Sequence, residues 1–264
     1  MMRRLLLFSA FSCALLAGAP ASAITYGQLD GNGHPNVGGM LAEYVTPGRK
    51  DLLCSGTLIS PTVFLTASHC TAYAESIGLT DVWVTFDTVY TAKSRIYHGT
   101  MHTNPAYNQA QSDPGDIAVI VLDSPVRGIT PASLPSEGLF DRMSAAHTLA
   151  GQTFTAVGYG VHQPTTGGGP AVYPFDDKRW VAVSSFNSLQ EVWLRLSQNP
   201  ATGDSGTCYG DSGGPNFLGS GASETPIVAA LTVTGDSKCR STNVDYRLDT
   251  PAARAFLGSF VILP

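Results

Sequence analysis

A serine within a glycine-rich segment is the side chain best suited to nucleophilic chemistry. Ser212 lies in residues 208–215, whose sequence is Cys-Tyr-Gly-Asp-Ser-Gly-Gly-Pro. A serine hydroxyl attacks a carbonyl carbon when a base accepts its proton, a carboxylate orients that base and N–H groups bind the oxyanion. Gly210 allows a turn in which its own N–H and that of Ser212 point at one developing anion. An ordinary surface turn is the alternative interpretation of this segment.

A histidine and an aspartate earlier in the chain supply the other two groups. His69 follows an apolar, strand-like run and precedes Cys70, which a disulfide could hold. Asp116 precedes another apolar run, so its carboxylate is expected to be partly buried and to need a partner such as an imidazole N–H. Asp113 is an alternative carboxylate. We predict that His69 is the general base, Asp116 orients it and Ser212 is the nucleophile.

The order of these residues along the chain separates the hydrolase types. Residues 210–214 also satisfy the G-x-S-x-G pattern of α/β-hydrolases, but that fold places its histidine after the serine. All six histidines of this chain precede Ser212. Subtilisin-like enzymes have the order Asp, His, Ser, and their helix-rich fold would require helical patterns that the sequence lacks. The remaining order, His69, Asp116, Ser212, is that of the two-barrel proteases.

The N-terminal residues are typical of a secretory signal peptide. Arg3 and Arg4 form a basic start, residues 5–18 are an apolar run, and residues 21–23 (Ala-Ser-Ala) fit a cleavage site. We therefore predict a signal peptide over residues 1–23 and a secreted, extracellular chain that begins at Ile24. An uncleaved membrane anchor is the alternative.

The cysteines agree with an oxidising compartment. Beyond residue 23 the chain has Cys54, Cys70, Cys208 and Cys239, and an even number is typical of a disulfide-bonded secreted protein. Three pairings are possible, and the local ones join Cys54 to Cys70 and Cys208 to Cys239. A metal site is disfavoured because no Cys-x-x-Cys pair is present. We predict neither a metal nor another cofactor.

The composition predicts strands and turns. Only 13% of the residues are charged, and the chain has 28 Gly and 17 Pro, which favours short strands joined by turns. The net charge is -5, and no Lys/Arg run indicates nucleic-acid binding. Residues 124–146 resemble a connector, residues 163–174 an exposed loop, and Thr250-Pro251 is the start of the only good helix candidate. Runs rich in Val, Ile, Thr and aromatic residues predict strands over residues 56–59, 63–67, 82–86, 117–122, 153–158, 181–185, 192–196 and 227–233.

Three motifs in register resemble those of the chymotrypsin/trypsin family. They are residues 65–70 (Leu-Thr-Ala-Ser-His-Cys), 116–118 (Asp-Ile-Ala) and 210–215 (Gly-Asp-Ser-Gly-Gly-Pro), and residues 54–59 are similar to the strand before the family's histidine. The resemblance covers nearly all of residues 24–257.

The resemblance implies an all-β fold of two six-stranded antiparallel β-barrels, with the active site in the cleft between them and a short C-terminal helix. The barrels would span about residues 24–123 and 147–249, with a linker at 124–146 and the helix at about 250–258. It also implies an oxyanion hole formed by the N–H groups of Gly210 and Ser212, and the disulfides Cys54–Cys70 and Cys208–Cys239.

By the same resemblance, Gly206 is the floor of the substrate pocket, where trypsin-like enzymes carry an acid. The walls would include Thr207, Thr232, Val233 and Thr234, and Thr234 would narrow the entrance. We therefore expect cleavage after small or medium apolar residues. Asp245 or Asp204 could instead attract Lys or Arg if either reached the pocket.

The resemblance also suggests how the enzyme is activated. In this family a new N-terminal Ile or Val ammonium pairs with the acid before the catalytic serine, which here is Asp211. Ile24 directly follows the predicted cleavage site, so signal cleavage itself would create the activating terminus. The alternative is that Ile24 only begins an edge strand.

The expected partners are protein or peptide substrates, without nucleic acid or, after signal cleavage, a membrane, and the enzyme is expected to be a monomer. The competing hypotheses are a catalytically silent binding module of the same family and a structural surface protein. The complete triad and its glycines favour the enzyme.

Overall fold

The computed structural model describes residues 24–162 and 172–264. The predicted signal peptide and residues 163–171 of the predicted loop lie outside the described residues. No helix in the described ranges is long and apolar enough to cross a bilayer.

The structure consists mainly of short antiparallel strands. The strands are β1 (Gln28–Leu29), β2 (Val37–Ala42), β3 (Asp51–Ser60), β4 (Val63–Thr66), β5 (Val82–Thr85), β6 (Ile96–Thr103), β7 (Ala118–Leu122), β8 (Thr153–Gly158), β9 (Trp180–Leu189), β10 (Trp193–Ser197), β11 (Pro215–Leu218), β12 (Val228–Gly235) and β13 (Thr242–Arg247). The α-helices are α1 (Ser68–Ser76), α2 (Leu139–Ala145) and α3 (Pro251–Leu257). All eight predicted strands are present, although β3 and β9 extend well beyond their predicted ends.

The first six-stranded barrel closes in the order β2-β3-β4-β7-β6-β5, and every pairing is antiparallel. Its interior is filled by side chains such as Met40, Leu58, Phe64, Val84 and Ile120, none of which is exposed. Burying each such side chain contributes about 1.5–3 kcal/mol to folding.

The second barrel is formed by β8 to β13. Its strands follow the order β9-β10-β13-β12-β11-β8, and pairing of β8 with β9 closes the ring. The short strand β1 adds to β9 on the outside. Phe140, Phe154, Leu194 and Leu196 form its buried interior. The predicted fold class of two antiparallel six-stranded barrels is therefore confirmed.

An apolar layer joins the two barrels. Leu65 of β4 and Val119 of β7 pack in one cluster with Phe217 of β11 and Leu231 of β12, and all four side chains are buried. Leu257 of α3 belongs to the same cluster. The strands that carry or adjoin the candidate catalytic residues are thus held together across the cleft by a shared core.

The helices differ from the prediction of a single C-terminal helix. That helix, α3, is confirmed: Thr250 caps it by accepting the N–H of Ala253, and Pro251 occupies its first turn. Helices α1 and α2 were not predicted from the sequence. The second of these, Leu139–Ala145, lies within the stretch interpreted as a connector. There the buried carboxylate of Asp249 accepts the N–H of Phe140 at 2.8 Å.

Candidate active site

The candidate base His69 lies in the first turn of α1, not at a strand end as the sequence suggested. Two contacts fix this helix turn. The Ser68 hydroxyl donates to the carbonyl of Ile117 at 2.7 Å, and Cys70 forms a disulfide with Cys54 of β3. These contacts attach the helix to the first barrel on both sides of His69, which restrains the imidazole.

Asp116 contacts His69 through both carboxylate oxygens. Its Oδ1 accepts the backbone N–H of His69 at 2.8 Å, and its Oδ2 lies 2.9 Å from His69 Nδ1. The first N–H groups of a helix have no partner within the helix, so one carboxylate both satisfies the helix start and orients the ring. Asp116 is 1% exposed, whereas the His69 side chain is 23% exposed.

Asp113, the alternative carboxylate, is engaged elsewhere. It accepts the hydroxyl of Tyr246 at 2.9 Å and the N–H of Gly115 at 3.0 Å. Gly115 has a φ of 60°, a left-handed conformation that glycine adopts readily. This turn separates the two aspartates and leaves Asp116 to face His69.

Ser212 lies in a loop whose backbone is attached to the first barrel. Its carbonyl accepts the N–H of Ser55 of β3 at 2.9 Å, and the Ser55 hydroxyl donates to the carbonyl of Gly210 at 3.0 Å. Gly213 has a φ of 77°, and a Cβ added there would lie 2.2 Å from Thr66 Oγ1 and 2.7 Å from the backbone nitrogen of Ala67. A glycine is required for the serine loop to approach the segment that leads into His69 so closely.

Two N–H groups of this loop are available to a ligand. Within the described residues, neither the N–H of Gly210 nor that of Ser212 donates a hydrogen bond. Gly210 has a φ of 94°. The carbonyls on the same two peptides, those of Tyr209 and Asp211, accept the N–H groups of Val161 at 2.7 Å and Gly214 at 2.9 Å, which fixes the orientation of both peptides. In the same ranges no hydrogen bond joins the Ser212 hydroxyl to His69 Nε2. Such bonds are often long in unliganded enzymes and shorten when substrate binds.

A pocket adjoins Ser212. It has a cavity volume of about 210 Å³, and its lining includes Ser212 together with the predicted wall residues Thr207, Thr232, Val233 and Thr234. The predicted floor residue Gly206 is not part of this lining. A Cβ at Gly206 would lie 2.2 Å from Oε1 of Gln198, which does line the pocket.

The two acids considered for basic specificity, Asp245 and Asp204, lie outside this lining. Asp245 is completely buried and accepts the amide of Asn216 at 2.9 Å. Burial raises the pKa of Asp245 well above its ordinary value, although hydrogen bonds from its neighbours act in the opposite direction. Asp204 accepts the hydroxyls of Ser185 at 2.6 Å and Ser197 at 2.7 Å.

The predicted activation residues are both completely buried. Asp211 accepts the N–H of Gly160 at 2.8 Å and that of Cys208 at 2.9 Å. Burial raises the pKa of Asp211 to about 7, although these two hydrogen bonds lower it. Ile24 is 0% exposed, and the next residue, Thr25, pairs with Gly206.

The described residues contain one group of potential metal ligands, and it lies at this site. The sulfur atoms of Cys54 and Cys70 and a nitrogen of His69 lie within 4.8 Å of one another. Both sulfurs are consumed by the disulfide, so neither is available as a thiolate ligand. The second pair, Cys208 and Cys239, is also joined.

Two residues that contact the candidate site, Ser55 and Gln198, were not predicted from the sequence. Ser55 lies in residues 54–59, the segment that resembles the strand before the family's histidine. Nothing in the sequence indicates that its side chain holds the serine loop. Gln198 belongs to no motif. Only the fold, which brings the end of β10 against Gly206, places its side chain in the pocket.

Comparisons with known proteins agree with this geometry. Residues 39–256 match the model of the family described as Trypsin. The chain is also 30% identical to brachyurin of Leptuca pugilator over 221 residues, which cover 74% of this chain and 84% of the relative. Both findings favour the enzyme over a structural surface protein. The chain therefore belongs to the trypsin family, and it is a serine endopeptidase, a hydrolase of peptide bonds.

Proposed function

We propose that this endopeptidase cleaves peptide bonds through an acyl-enzyme formed on Ser212, with His69 and Asp116 completing the triad. His69 Nε2 takes the hydroxyl proton as Ser212 attacks the carbonyl carbon, and it gives that proton to the leaving amine. Water then enters, His69 takes its proton, and the acyl group leaves as a carboxylic acid with the proton returned to Ser212. Asp116 accepts Nδ1–H throughout, which keeps Nε2 free to act as the base.

The unpaired N–H groups of Gly210 and Ser212 would bind the oxyanion in both steps. Donors that are already oriented cost no reorganisation when charge develops on the carbonyl oxygen, and each contributes about 3 kcal/mol to transition-state stabilisation. Ser55 holds the loop that carries these donors, because its hydroxyl and N–H bind the carbonyls of Gly210 and Ser212.

The observation that carries the proposal is the double hydrogen bond of Asp116 to His69. A buried carboxylate that accepts both the backbone N–H and Nδ1 of one histidine sets the position and the tautomer of the ring together. His34 makes the same two contacts with Asp30, but its Nε2 is bound by Glu224. Within the described residues no group binds Nε2 of His69, so this nitrogen is free to act on Ser212.

Labelling with a fluorophosphonate tests the nucleophile. These reagents phosphonylate only a serine whose hydroxyl is activated by a base. We expect a single adduct on the mature protein, mapped to Ser212 by mass spectrometry, and no adduct after His69→Ala. An adduct on another serine, or unchanged labelling of the His69→Ala variant, would contradict the assignment.

The pocket beside Ser212 supports specificity for a small or medium, uncharged side chain. Its volume is about 210 Å³, and Thr234 would narrow its entrance. Neither Asp245 nor Asp204 belongs to the lining, because both acids are buried among hydrogen-bond donors. The carboxylate of Asp236 does line the pocket, and it already accepts the N–H groups of Ser241 and Thr242.

Activation by the amino terminus of Ile24 is a further part of the proposal. Ile24 packs in a buried cluster with Ala156 and Trp180. The segment that follows is anchored by a buried ion pair, in which Arg179 Nε donates to Asp30 at 2.8 Å. A free ammonium at Ile24 would supply the cation that the buried Asp211 carboxylate requires.

An extra residue before Ile24 tests this activation. We expect a chain that begins with Ala-Ile24 to lose about 10²-fold or more in kcat/KM, because the ammonium is displaced and Asp211 is left as an unpaired buried acid. A matched chain with Ile24→Val keeps the ammonium and should remain within a few-fold of wild type. Full activity of the extended chain in a peptide hydrolysis assay would show that Ile24 merely begins a strand.

Secretion and a monomeric state complete the proposal. Two disulfides within one chain fit an oxidising, extracellular environment, and the signal-like residues 1–23 supply the route.

A further inference from the structure

The ring of His34 is held between two carboxylates. Its Nδ1 faces Oδ1 of Asp30, and its Nε2 lies 2.9 Å from Oε1 of Glu224. The backbone N–H of His34 also donates to Oδ2 of Asp30, at 3.2 Å. The His34 side chain is only 14% exposed, and its ring stacks on Phe217 with 5.5 Å between the ring centroids. Solvent therefore has little access to these contacts.

This arrangement requires a doubly protonated ring. An ionised carboxylate can only accept a hydrogen bond, whereas a neutral imidazole carries one N–H and one acceptor nitrogen. A neutral His34 could donate to Asp30 or to Glu224, and its other nitrogen would then face an oxygen that also only accepts. The imidazolium donates to both. The geometry therefore indicates that His34 is positively charged in the folded protein.

The charged groups around the ring agree with this protonation state. Arg179 Nε donates to Oδ2 of Asp30 at 2.8 Å, and neither side chain is more than 1% exposed. Although burial acts in the opposite direction, hydrogen bonds from their neighbours hold the pKa values of Asp30 and Glu224 below the ordinary range. Burial also opposes the charge of His34, but its hydrogen bonds to the two carboxylates raise its pKa to about 9. One further titratable group, the Tyr159 hydroxyl, lies 3.5 Å from Arg179, and burial raises its pKa to about 12.

Four side chains form what we call the His34 cluster: Asp30, His34, Arg179 and Glu224. The cluster connects the segment between β1 and β2, which carries its first two members, with the second barrel. Arg179 directly precedes β9, and Glu224 lies between β11 and β12. Arg179 Nη1 also donates to the carbonyls of Val37 at 2.9 Å and Phe86 at 3.0 Å, which belong to the first barrel or directly follow one of its strands. Two positive and two negative charges thus attach one segment of the chain to both barrels.

We propose that the His34 cluster is a pH-sensitive switch, in which the imidazolium holds the segment between β1 and β2 on the second barrel and alkaline pH loosens it. Loss of the ring proton removes one of the two N–H donors. In the described part of the chain Arg179 binds Asp30 and not Glu224, so Glu224 is the carboxylate that loses its partner. A partly buried carboxylate without a donor is unfavourable. The switch controls stability, and it does not depend on the assignment of Ser212.

The direction of the pH effect follows from the two states of the chain. The ordinary pKa of histidine, which applies to the unfolded chain, is 6.5, whereas that of His34 in the folded protein is about 9. The cluster therefore contributes its full stability below about pH 6.5, and this contribution is lost as the pH rises through about 9. Asp30 and Glu224 stay ionised over this range because their pKa values are lowered.

Nitrogen NMR of the histidine rings tests the protonation state in the intact fold. The sample is the chain that begins at Ile24 and carries Ser212→Ala, which prevents self-digestion. The His34 ring is identified by its contacts with Phe217. We expect both ring nitrogens to carry protons at pH 8 and one proton to be lost near pH 9. A ring that is already neutral at pH 8 overturns the proposal.

Thermal unfolding of His34→Gln in the same background tests the effect on stability. Glutamine can donate to a carboxylate but cannot carry the positive charge. We expect its unfolding midpoint to lie about 5 °C or more below that of the parent at pH 6, and to lie within about 2 °C of it at pH 10. A difference in midpoint that stays the same at both pH values overturns the proposal.

His98→Gln is the matched control. The His98 ring also lies between two carboxylates, with Nδ1 2.6 Å from Asp123 and Nε2 3.0 Å from Asp81. Both of these acids and His98 itself are exposed, so solvent screens the contacts and they contribute little. We expect the midpoint of this variant to stay within about 1 °C of the parent at both pH values. If His98→Gln showed the same pH-dependent loss as His34→Gln, the buried cluster would not be the switch.

Discussion

Replacing Ser212 by alanine is expected to lower kcat by about 10⁶-fold, the largest effect of any single substitution in this chain. Without the hydroxyl no acyl-enzyme forms, and only the slow attack of water on a polarised carbonyl remains. The measurement is steady-state hydrolysis of a fluorogenic peptide by wild type and variant, both beginning at Ile24.

The folded state should tolerate this substitution. In the described part of the chain the Ser212 hydroxyl makes no hydrogen bond, and the contacts that hold the residue use its backbone carbonyl. We therefore expect an unchanged midpoint of thermal unfolding. Activity within tenfold of wild type, in a preparation free of contaminating protease, would exclude Ser212 as the nucleophile.

Asp116→Asn is expected to lower kcat by about 10⁴-fold while preserving the fold. The asparagine must keep its oxygen toward the backbone N–H of His69, because its amide would meet a donor there. The amide nitrogen then faces Nδ1, which becomes an acceptor, and the ring proton moves to Nε2. A histidine protonated at Nε2 cannot take the proton of Ser212.

Asp113→Asn is the matched control for this experiment. Asp113 is only three residues away but binds Tyr246 and Gly115, and asparagine retains one acceptor for these donors. Its kcat should stay within a few-fold of wild type in the same fluorogenic assay. If Asp113→Asn were the damaging substitution and Asp116→Asn were harmless, the orienting carboxylate would be Asp113.

The sequence predicted strands where side-chain pattern and local preference coincide. The runs at β4, β5 and β7 are rich in Val, Ile, Leu and aromatic residues and were identified correctly. The five missed strands are β1, β2, β6, β11 and β13. In β2 the apolar pattern is interrupted by Gly38 and Gly39. A Cβ at Gly38 would lie 2.6 Å from the Thr85 carbonyl oxygen, and a Cβ at Gly39 would lie 2.2 Å from the Leu52 side chain. Close packing across the barrel, which no local pattern reports, selects glycine.

The helix that carries His69 was missed for a related reason. Its residues include Cys, Thr and Tyr, which are weak helix formers, and its start is held by Asp116, Ser68 and a disulfide. Short motifs could identify the chemistry because the family's reaction constrains residue types near each reacting atom. They could not identify Gln198, because its position in the pocket lining depends on where β10 ends relative to Gly206.

The attachment of the serine loop to Ser55 has a consequence for how the enzyme is made. The proposed base and its aspartate adjoin the first barrel, whereas the proposed nucleophile and oxyanion donors belong to the second, and hydrogen bonds from Ser55 attach the serine loop to the first barrel. Domains fold from the N-terminal side as the chain emerges from the ribosome. A nascent chain that has completed only its first barrel thus holds a histidine and a carboxylate with no serine to activate. The proposed triad therefore cannot form until the second barrel has also been synthesised.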